Sequence, residues 1–568
     1  MKNQIKTVLI ASTLMLNVAL AYAGLDWSYG TLSNPDNLKR NTQAIAYASS
    51  GNVFVAGIEE NSLGHKLIVT KKFSSTGTLL ATVTNSYFFA AGITINDNAT
   101  DIKLDANDNV YVLGKQYGSS SRGYDVVLIK YNSSLTQQWK KLIYNTNQPN
   151  NFNDKPCKIL LDASSNVYVT GTWNNVTVTG FLEEIFVKKY SSSGTLLFST
   201  KVPQAAGKTF ADVTDMCIDN NLNVTVCAKA TAGNVYSIMY ARIANTGSLS
   251  WKKFYSPSSV YTLLFNPEIE CTTGGTLYLA TPVVRQPTNY DSYVRLATVK
   301  LSSSGTQLWE NLTSELNKYA DAIRLRLDAS NNIYAGCDFW GSPAPVFTYH
   351  KIYKLNSSGA LQWVYTSPES SSQQFTFETF SSAALFILFQ KSGPVNPVLR
   401  KLDASNGNIL WTEDMPFGGI PGYYHSQLDP VNIAVNAATS EVAFCGNIIA
   451  SINSPNYVEE YRWHIRKYGA TSPRIADEEA TEHSVENVKL QLFPNPANEK
   501  INVNLDDFMG DDAEINVTDM LGNTVLRQKL SSASKNYSFE TSYLVPGFYN
   551  IVLKGKENNA VAKFIVSH

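Results

Sequence analysis

The sequence predicts an all-β protein, and three observations carry that prediction. Tyr (31) and Phe (25) are plentiful in a chain rich in Ser, Thr and Asn, and no long stretch keeps a helical apolar period. A turn running into a β-rich strand recurs eight times. It is complete in Asn52-Val53-Phe54-Val55-Ala56-Gly57, Asn109-Val110-Tyr111-Val112-Leu113-Gly114 and Asn166-Val167-Tyr168-Val169-Thr170-Gly171, and weaker from Asn223, Thr276, Asn332, Ala384 and Glu441. Successive copies start 52 to 57 residues apart, a period that signals a propeller or solenoid. A second unit accompanies each copy: a strand ending in a cation, a polar turn, then an aromatic, as in Lys300-Leu301-Ser302-Ser303-Ser304-Gly305-Thr306-Gln307-Leu308-Trp309.

From the N-terminus, Lys2 and Lys6 precede an apolar run, and Ala21-Tyr22-Ala23 supplies small residues for cleavage. Residues 1–23 are therefore expected to be a secretory signal peptide, with Gly24 as the mature start. No cysteine sits at that junction, so no lipid anchor is expected, and no other stretch has the roughly 20 apolar residues of a membrane span. A formal net charge of −1 without a basic block argues against nucleic acid as partner.

Residues 24–470 hold the repeats. In the second copy, strands are expected at 102–104, 110–113, 126–131 and 138–143. Four-stranded antiparallel units in tandem read as β-propeller blades, each covering its neighbour's apolar face. The expected count is eight, with seven as the alternative. A cation ends the third strand of every copy: Lys72, Lys130, Lys189, Arg242, Lys300, Lys354, Lys401 and Lys467. Its stem should cover apolar surface while its head meets a turn carboxylate or solvent. Trp139, Phe198, Trp251, Trp309, Trp363 and Trp411 fill the aromatic slot, whereas the first copy has Ala81. The eighth copy lacks a fourth strand, and Leu25-Asp26-Trp27-Ser28-Tyr29 is expected to supply it and clasp the ring. The six cysteines are irregularly spaced and mostly within strands, which favours free buried thiols over a disulfide framework.

The pattern from Asp162 to Gly171, with Tyr124-Asp125-Val126-Val127-Leu128-Ile129-Lys130, resembles the β-propeller repeats of large secreted bacterial proteins. That resemblance implies the fold and leaves function open. Residues 471–487 read as an acidic linker, and 488–568 as a small β-sandwich with strands at 489–493, 500–505, 514–518, 524–529, 548–554 and 561–566. Three motif groups occur there in order: Leu492-Phe493-Pro494-Asn495-Pro496-Ala497, then Asp519-Met520-Leu521-Gly522, then Leu544-Val545-Pro546-Gly547-Phe548-Tyr549 followed by Lys563-Phe564-Ile565-Val566. Together they resemble the type A C-terminal sorting domain of the type IX secretion system of Bacteroidota. The resemblance implies recognition by the translocon and passage across the outer membrane to the cell surface or medium. It also implies sorting roles for Pro494, Asn495, Pro496, Gly522, Gly547 and Tyr549.

No catalytic constellation emerges. The histidines lack metal-site spacing, and no CxxC or G-x-S-x-G occurs. Asp105-Ala106-Asn107-Asp108-Asn109 could be imagined as a calcium loop, but it lacks the sharp-turn glycine and distal Glu. Its equivalents at Asp162, Asp219 and Asp328 suit an Asx-stabilised turn. Residues 402–411 are similar to the tryptophan-docking motif of eight-bladed quinoprotein dehydrogenases, without the accompanying cysteine pair or metal cluster. Neither metal nor cofactor is expected.

The connections after second and fourth strands share one face and are long and variable: 172–183, 281–293, 338–349, 416–430 and 447–461. Trp173, Tyr290, Tyr293, Phe339, Trp340, Tyr424 and Tyr457 lie on them, and such rings suit stacking on sugars or docking of peptides. The expectation is a non-catalytic binding protein for a glycan or protein ligand on this face. The alternatives are a hydrolase or lyase, which would bring paired carboxylates to the channel mouth, and a structural surface component.

Overall fold

The computed structural model describes residues 25–30, 38–85, 94–119, 123–145, 153–177, 180–233, 235–257, 261–263, 266–285, 293–313, 319–340, 348–367, 371–379, 383–391, 396–415, 425–436, 439–452, 458–469, 491–504, 513–519, 524–530, 536–554 and 559–567. The chain divides into two compact units, Met1–Asp477 and Glu478–His568. The segments expected to be a signal peptide and an acidic linker lie outside the described residues.

In the first unit, eight antiparallel meander sheets form among the described residues. Blades 1 to 7 span 40–85, 98–143, 155–202, 209–255, 261–312, 319–366 and 371–414. Blade 8 takes three strands from 425–468 and its outermost from Leu25–Gly30, which pairs with Val458–Tyr468 from Tyr468↔Leu25 to His464↔Gly30. The innermost strands follow one another around an axis, and Arg40–Tyr47 lies beside both Asn98–Leu104 and His425–Asn436, so the ring closes from blade 8 to blade 1. Side chains hold that closure as well: Thr42 donates its N–H to Asn447 Oδ1 at 2.7 Å and Trp463 Nε1 donates to Ile58 O at 3.1 Å.

The repeated words have clear packing reasons. The second-strand aromatics Phe54, Tyr111, Tyr168, Tyr278, Tyr334 and Phe386 are fully buried between blades, each contributing roughly 2–3 kcal/mol of apolar burial. The glycine that ends the turn-strand unit is required because the first strand bulges over it. A Cβ built on Gly57, Gly114 or Gly171 would lie 2.1, 2.3 or 2.5 Å from the carbonyl oxygen of Asn41, Asn98 or Lys155. The Asp-led turns are held by Asx bonds, as in Asn107 N–H and Asn109 N–H to Asp105 Oδ1 at 3.0 and 2.9 Å.

Three expectations change. The third-strand cations do more than cover apolar surface. Lys72, Lys130, Lys300 and Lys354 lie over the second-strand ring of their own blade. Each then donates to a turn carbonyl of the next blade: Ser133 at 2.8 Å, Ser192 at 2.9 Å, Ser357 at 2.6 Å and Ala404 at 2.5 Å. Lys189, Arg242 and Lys467 meet the carboxylates of Asp162, Asp219 and Glu441, the kind of contact expected, while Lys189 also lies over Tyr168 and Lys467 also donates to Ser75 O at 3.3 Å. The second and third strands also run further than expected. In blade 3, Val167–Thr177 and Gly180–Tyr190 pair out to Thr177↔Gly180, so most of 172–183 is a β-arm and not a loop. Polar residues on both faces of that arm give no alternation to read. Finally, the first strand of blade 5 is broken into Tyr261–Leu263 and Glu268–Cys271.

The second unit has a three-stranded sheet (Gln491–Phe493, Lys500–Asn504, Asn536–Glu540) and a four-stranded one (Ala513–Asp519, Thr524–Leu530, Gly547–Lys554, Asn559–Val566). Ile501, Val503 and Phe539 of the first share one core with Ile515, Val517, Ile551 and Phe564 of the second. The strand Asn536–Glu540 was not among those expected; Asn-Tyr-Ser-Phe-Glu is short and carries only two apolar residues.

Candidate functional site

The innermost strands bring together charges that lie some 50 residues apart in sequence. At one register, immediately before the core residue of each strand, blades 2 to 6 place Asp101, Lys158, Asp215, Glu268 and Arg324. The carboxylates bridge blades. Asp101 Oδ2 accepts from Ile159 N at 3.0 Å, Asp215 Oδ2 from Ile269 N at 2.9 Å and Glu268 Oε2 from Leu325 N at 2.7 Å. The cations pair with them, Lys158 with Asp215 at 2.5 Å and Arg324 with Glu268 at 3.1 Å. Two residues further along, Arg326 meets Glu270 at 3.9 Å and Glu378 at 2.9 Å. Burial pushes the Glu270 carboxyl up to about 7, with Lys158 and Arg326 opposing it. Burial also works against the charge of Lys158, but Asp215 and Glu270 outweigh it and hold the ammonium above its usual range.

Toward the face that bears the long connections, this axial network opens into a cavity of about 370 Å³. Its lining comes from the starts of four successive innermost strands and includes Cys157, Asp212, Thr214, Asn266, Glu268 and Arg324. Beside it, Lys155 Nζ lies 2.7 Å from Asp212 Oδ2 and 3.2 Å from Glu183 Oε1. Burial and the neighbouring Asp212 push the Glu183 carboxyl upward against the pull of Lys155. The other Asp212 oxygen, Oδ1, is buried and has no hydrogen-bond partner among the described residues. Paired carboxylates with a shared cation therefore stand at the channel mouth.

Of the aromatic residues expected on this face, the two whose side chains are described, Trp173 and Phe339, pack into blade cores. Trp173 is 3% exposed and stacks on Phe186 with centroids 4.6 Å apart, and Phe339 is fully buried against Tyr349. Both face blade cores because the extended β-arms turn alternate side chains inward. The backbones of Tyr293 and Trp340 end strands on this face, Tyr293 opposite Arg285 and Trp340 opposite Tyr319 and Thr348. Tyr290, Tyr424 and Tyr457 lie outside the described residues. The charged mouth was missed because its residues sit one per repeat, where each reads as an isolated polar position. The available signal was the register itself, with Lys155 and Asp212 three residues ahead of Lys158 and Asp215.

In the second unit, the motif pieces meet around the last strand. Asn495 Oδ1 accepts from Ile565 N at 2.9 Å, and Gly547 pairs with Val566. Tyr549 is buried against Phe564 and donates its hydroxyl to Val545 O at 2.7 Å, while Pro494 and Pro496 are exposed. Gly522 lies outside the described residues. Residues 491–567 match the secretion system C-terminal sorting domain. The chain is a type IX secretion cargo. Such a domain marks this cargo for the cell surface or the extracellular space.

No curated protein matches the chain. Among solved structures, it is similar to the polysaccharide lyase Uly1 (TM-score 0.40, 10% identity, covering 70% of this chain and 96% of the other). It is likewise similar to a PL25 ulvan lyase (0.40, 8%, 67% and 98%). The β-propeller domain of the Trilobed protease from Pyrococcus furiosus, of open velcro topology, gives 0.36 at 8% identity over 62% and 92%. None of these likenesses bears on chemistry.

Proposed function

We propose that this type IX cargo is a binding protein whose propeller takes a polar ligand, a glycan in the first instance, at the charged channel mouth on the long-connection face. The observation that carries the reading is the 370 Å³ cavity with the unsatisfied Asp212 Oδ1 on its wall. A ligand hydroxyl or N–H would supply the donor that this oxygen lacks. The cavity size falls within the usual range for small-ligand sites. Thr214, Asn266 and Arg324 add polar groups suited to sugar hydroxyls. Aromatic stacking by Trp340, at the rim of the blade that supplies Arg324, is a second contribution within this reading.

The test is a screen of the full chain against arrayed polysaccharides and glycans. Saturable binding supports the reading; silence across the array removes glycans as the ligand class and turns the search to surface proteins by pull-down. A hydrolase or lyase is the second reading, favoured by one observation, the Glu183–Lys155–Asp212 constellation with Glu183 pushed toward its protonated form. Its test is incubation with any glycan retained by the array. New reducing ends or unsaturated products that vanish in Glu183→Gln would establish it, and an unchanged polymer would discard it.

A further inference from the structure

We propose that Cys217 and Cys271 form a disulfide that staples the innermost strand of blade 4 to that of blade 5. The two strands, Thr209–Ile218 and Glu268–Cys271, run side by side at the axis. Their relative register is fixed by Asp215 Oδ2, which accepts the N–H of Ile269 at 2.9 Å across the blade boundary. Two residues further along each strand, the same offset sets Cys217 against Cys271. Both side chains belong to one apolar cluster, Cys217 within it and Cys271 packed against it. In the structure all six cysteines are free.

The pairing is selective. Cys227 shares the cluster, but its Sγ is directed at Pro267 O, 3.6 Å away, and at Thr214. Cys337 and Cys445 belong to blades 6 and 8. The site is also where a staple has most to hold, because the first strand of blade 5 is broken into two pieces. A cargo delivered outside the cytoplasm meets oxidising conditions in which such a bond persists.

Cys271 is the more accessible of the two thiols, Cys217 being 4% exposed. As thiolate, Cys271 attacks a small-molecule or protein disulfide, releasing one of its sulfurs as a thiol and leaving a mixed disulfide. The deprotonated Cys217 then attacks the Cys271 sulfur and expels the second thiol. The protein loses two protons and two electrons, and the oxidant is reduced to two thiols. The closed loop encloses the three outer strands of blade 4, so the bond restricts the unfolded chain most where that blade would detach.

The experiment is to expose the full chain to oxidised glutathione, block remaining thiols with an alkylating agent, and map tryptic peptides without reduction. The expected product joins peptide 209–229 to peptide 254–285, with fragmentation placing the bond on Cys217 and leaving Cys227 alkylated. Reduction should separate the peptides, and the oxidised protein should melt a few degrees above the reduced one. Both cysteines recovered alkylated after oxidation, or a bond made through Cys227, would overturn the proposal. Mapping of the unsubstituted chain decides the point, so the result does not depend on whether Cys217→Ser folds.

Discussion

Single buried acids set the pH behaviour of this propeller. Glu413 is 5% exposed, and burial pushes its carboxyl up to about 7, with Arg466 opposing and Asp414 adding to the rise. Its folded pKa lies above the unfolded one, so its contribution to stability is complete below about pH 4.5 and is lost as pH rises through about 7. His464, bonded to Arg466 at 2.8 Å, shifts the opposite way, because burial and then Arg466 disfavour its proton. It contributes above its ordinary range, and that stability is lost as pH falls below that range and through the depressed folded value. Glu413→Gln should therefore raise the melting temperature at pH 8 but not at pH 5, by an amount equivalent to about 1–3 kcal/mol. Thermal melts of both proteins at the two pH values check this; an equal effect at both would contradict the assignment. None of this was legible in the sequence, where Glu413 is one carboxylate among 47 acidic residues and nothing tells of the cation three strands further along the chain.

At the scale of the blade, the turn glycine and the fourth-strand aromatic form one device. The aromatic of each of blades 2 to 6 lies under the turn of the next blade. A Cβ on Gly247, Gly305, Gly359 or Gly407 would come 2.6 to 3.0 Å from Phe198, Trp251, Trp309 or Trp363, and all four glycines have positive φ. Trp139, Trp309 and Trp363 also donate their indole N–H to a turn carbonyl of the next blade. The exception follows the same rule. Blade 1 carries Ala81 in the aromatic slot, and the facing turn of blade 2 carries Leu135 at φ 60° in the glycine slot, buried in the cluster that includes Ala81. Side-chain volume has moved from one blade to its neighbour. Ala81→Trp and Leu135→Gly should each destabilise by about 1–3 kcal/mol. The double variant should recover much of that loss, a non-additivity that denaturant titration would measure; strictly additive losses would dismiss the exchange. The aromatic and the glycine were both readable as repeated words, but their meeting across a blade boundary was not, because sequence spacing shows what recurs within a copy and not what touches between copies.

For the molecule as a whole, the closed ring was the most legible feature. Eight copies with the last one a strand short, and an unattached strand holding Trp27 near the start, left one economical arrangement. Leu25–Gly30 is indeed the outermost strand of blade 8. Deleting it should expose the edge of Val458–Tyr468, lower the melting temperature and produce association detectable by light scattering. A monodisperse, equally stable deletion variant would mean that the strand is dispensable for closure. The binding face was less legible. Its aromatic residues stood out as loop residues, yet Trp173 and Phe339 belong to the core, while the charged mouth is made by strand register alone. The most direct test of the proposed site is the dissociation constant of a retained glycan for the unsubstituted protein, Asp212→Ala and Trp340→Ala, measured by titration calorimetry. The account predicts at least about tenfold weaker binding for Asp212→Ala, the equivalent of roughly 1.4 kcal/mol, with a smaller loss for Trp340→Ala. Binding unchanged in Asp212→Ala, in a variant that melts like its parent, would contradict a ligand site at the channel mouth.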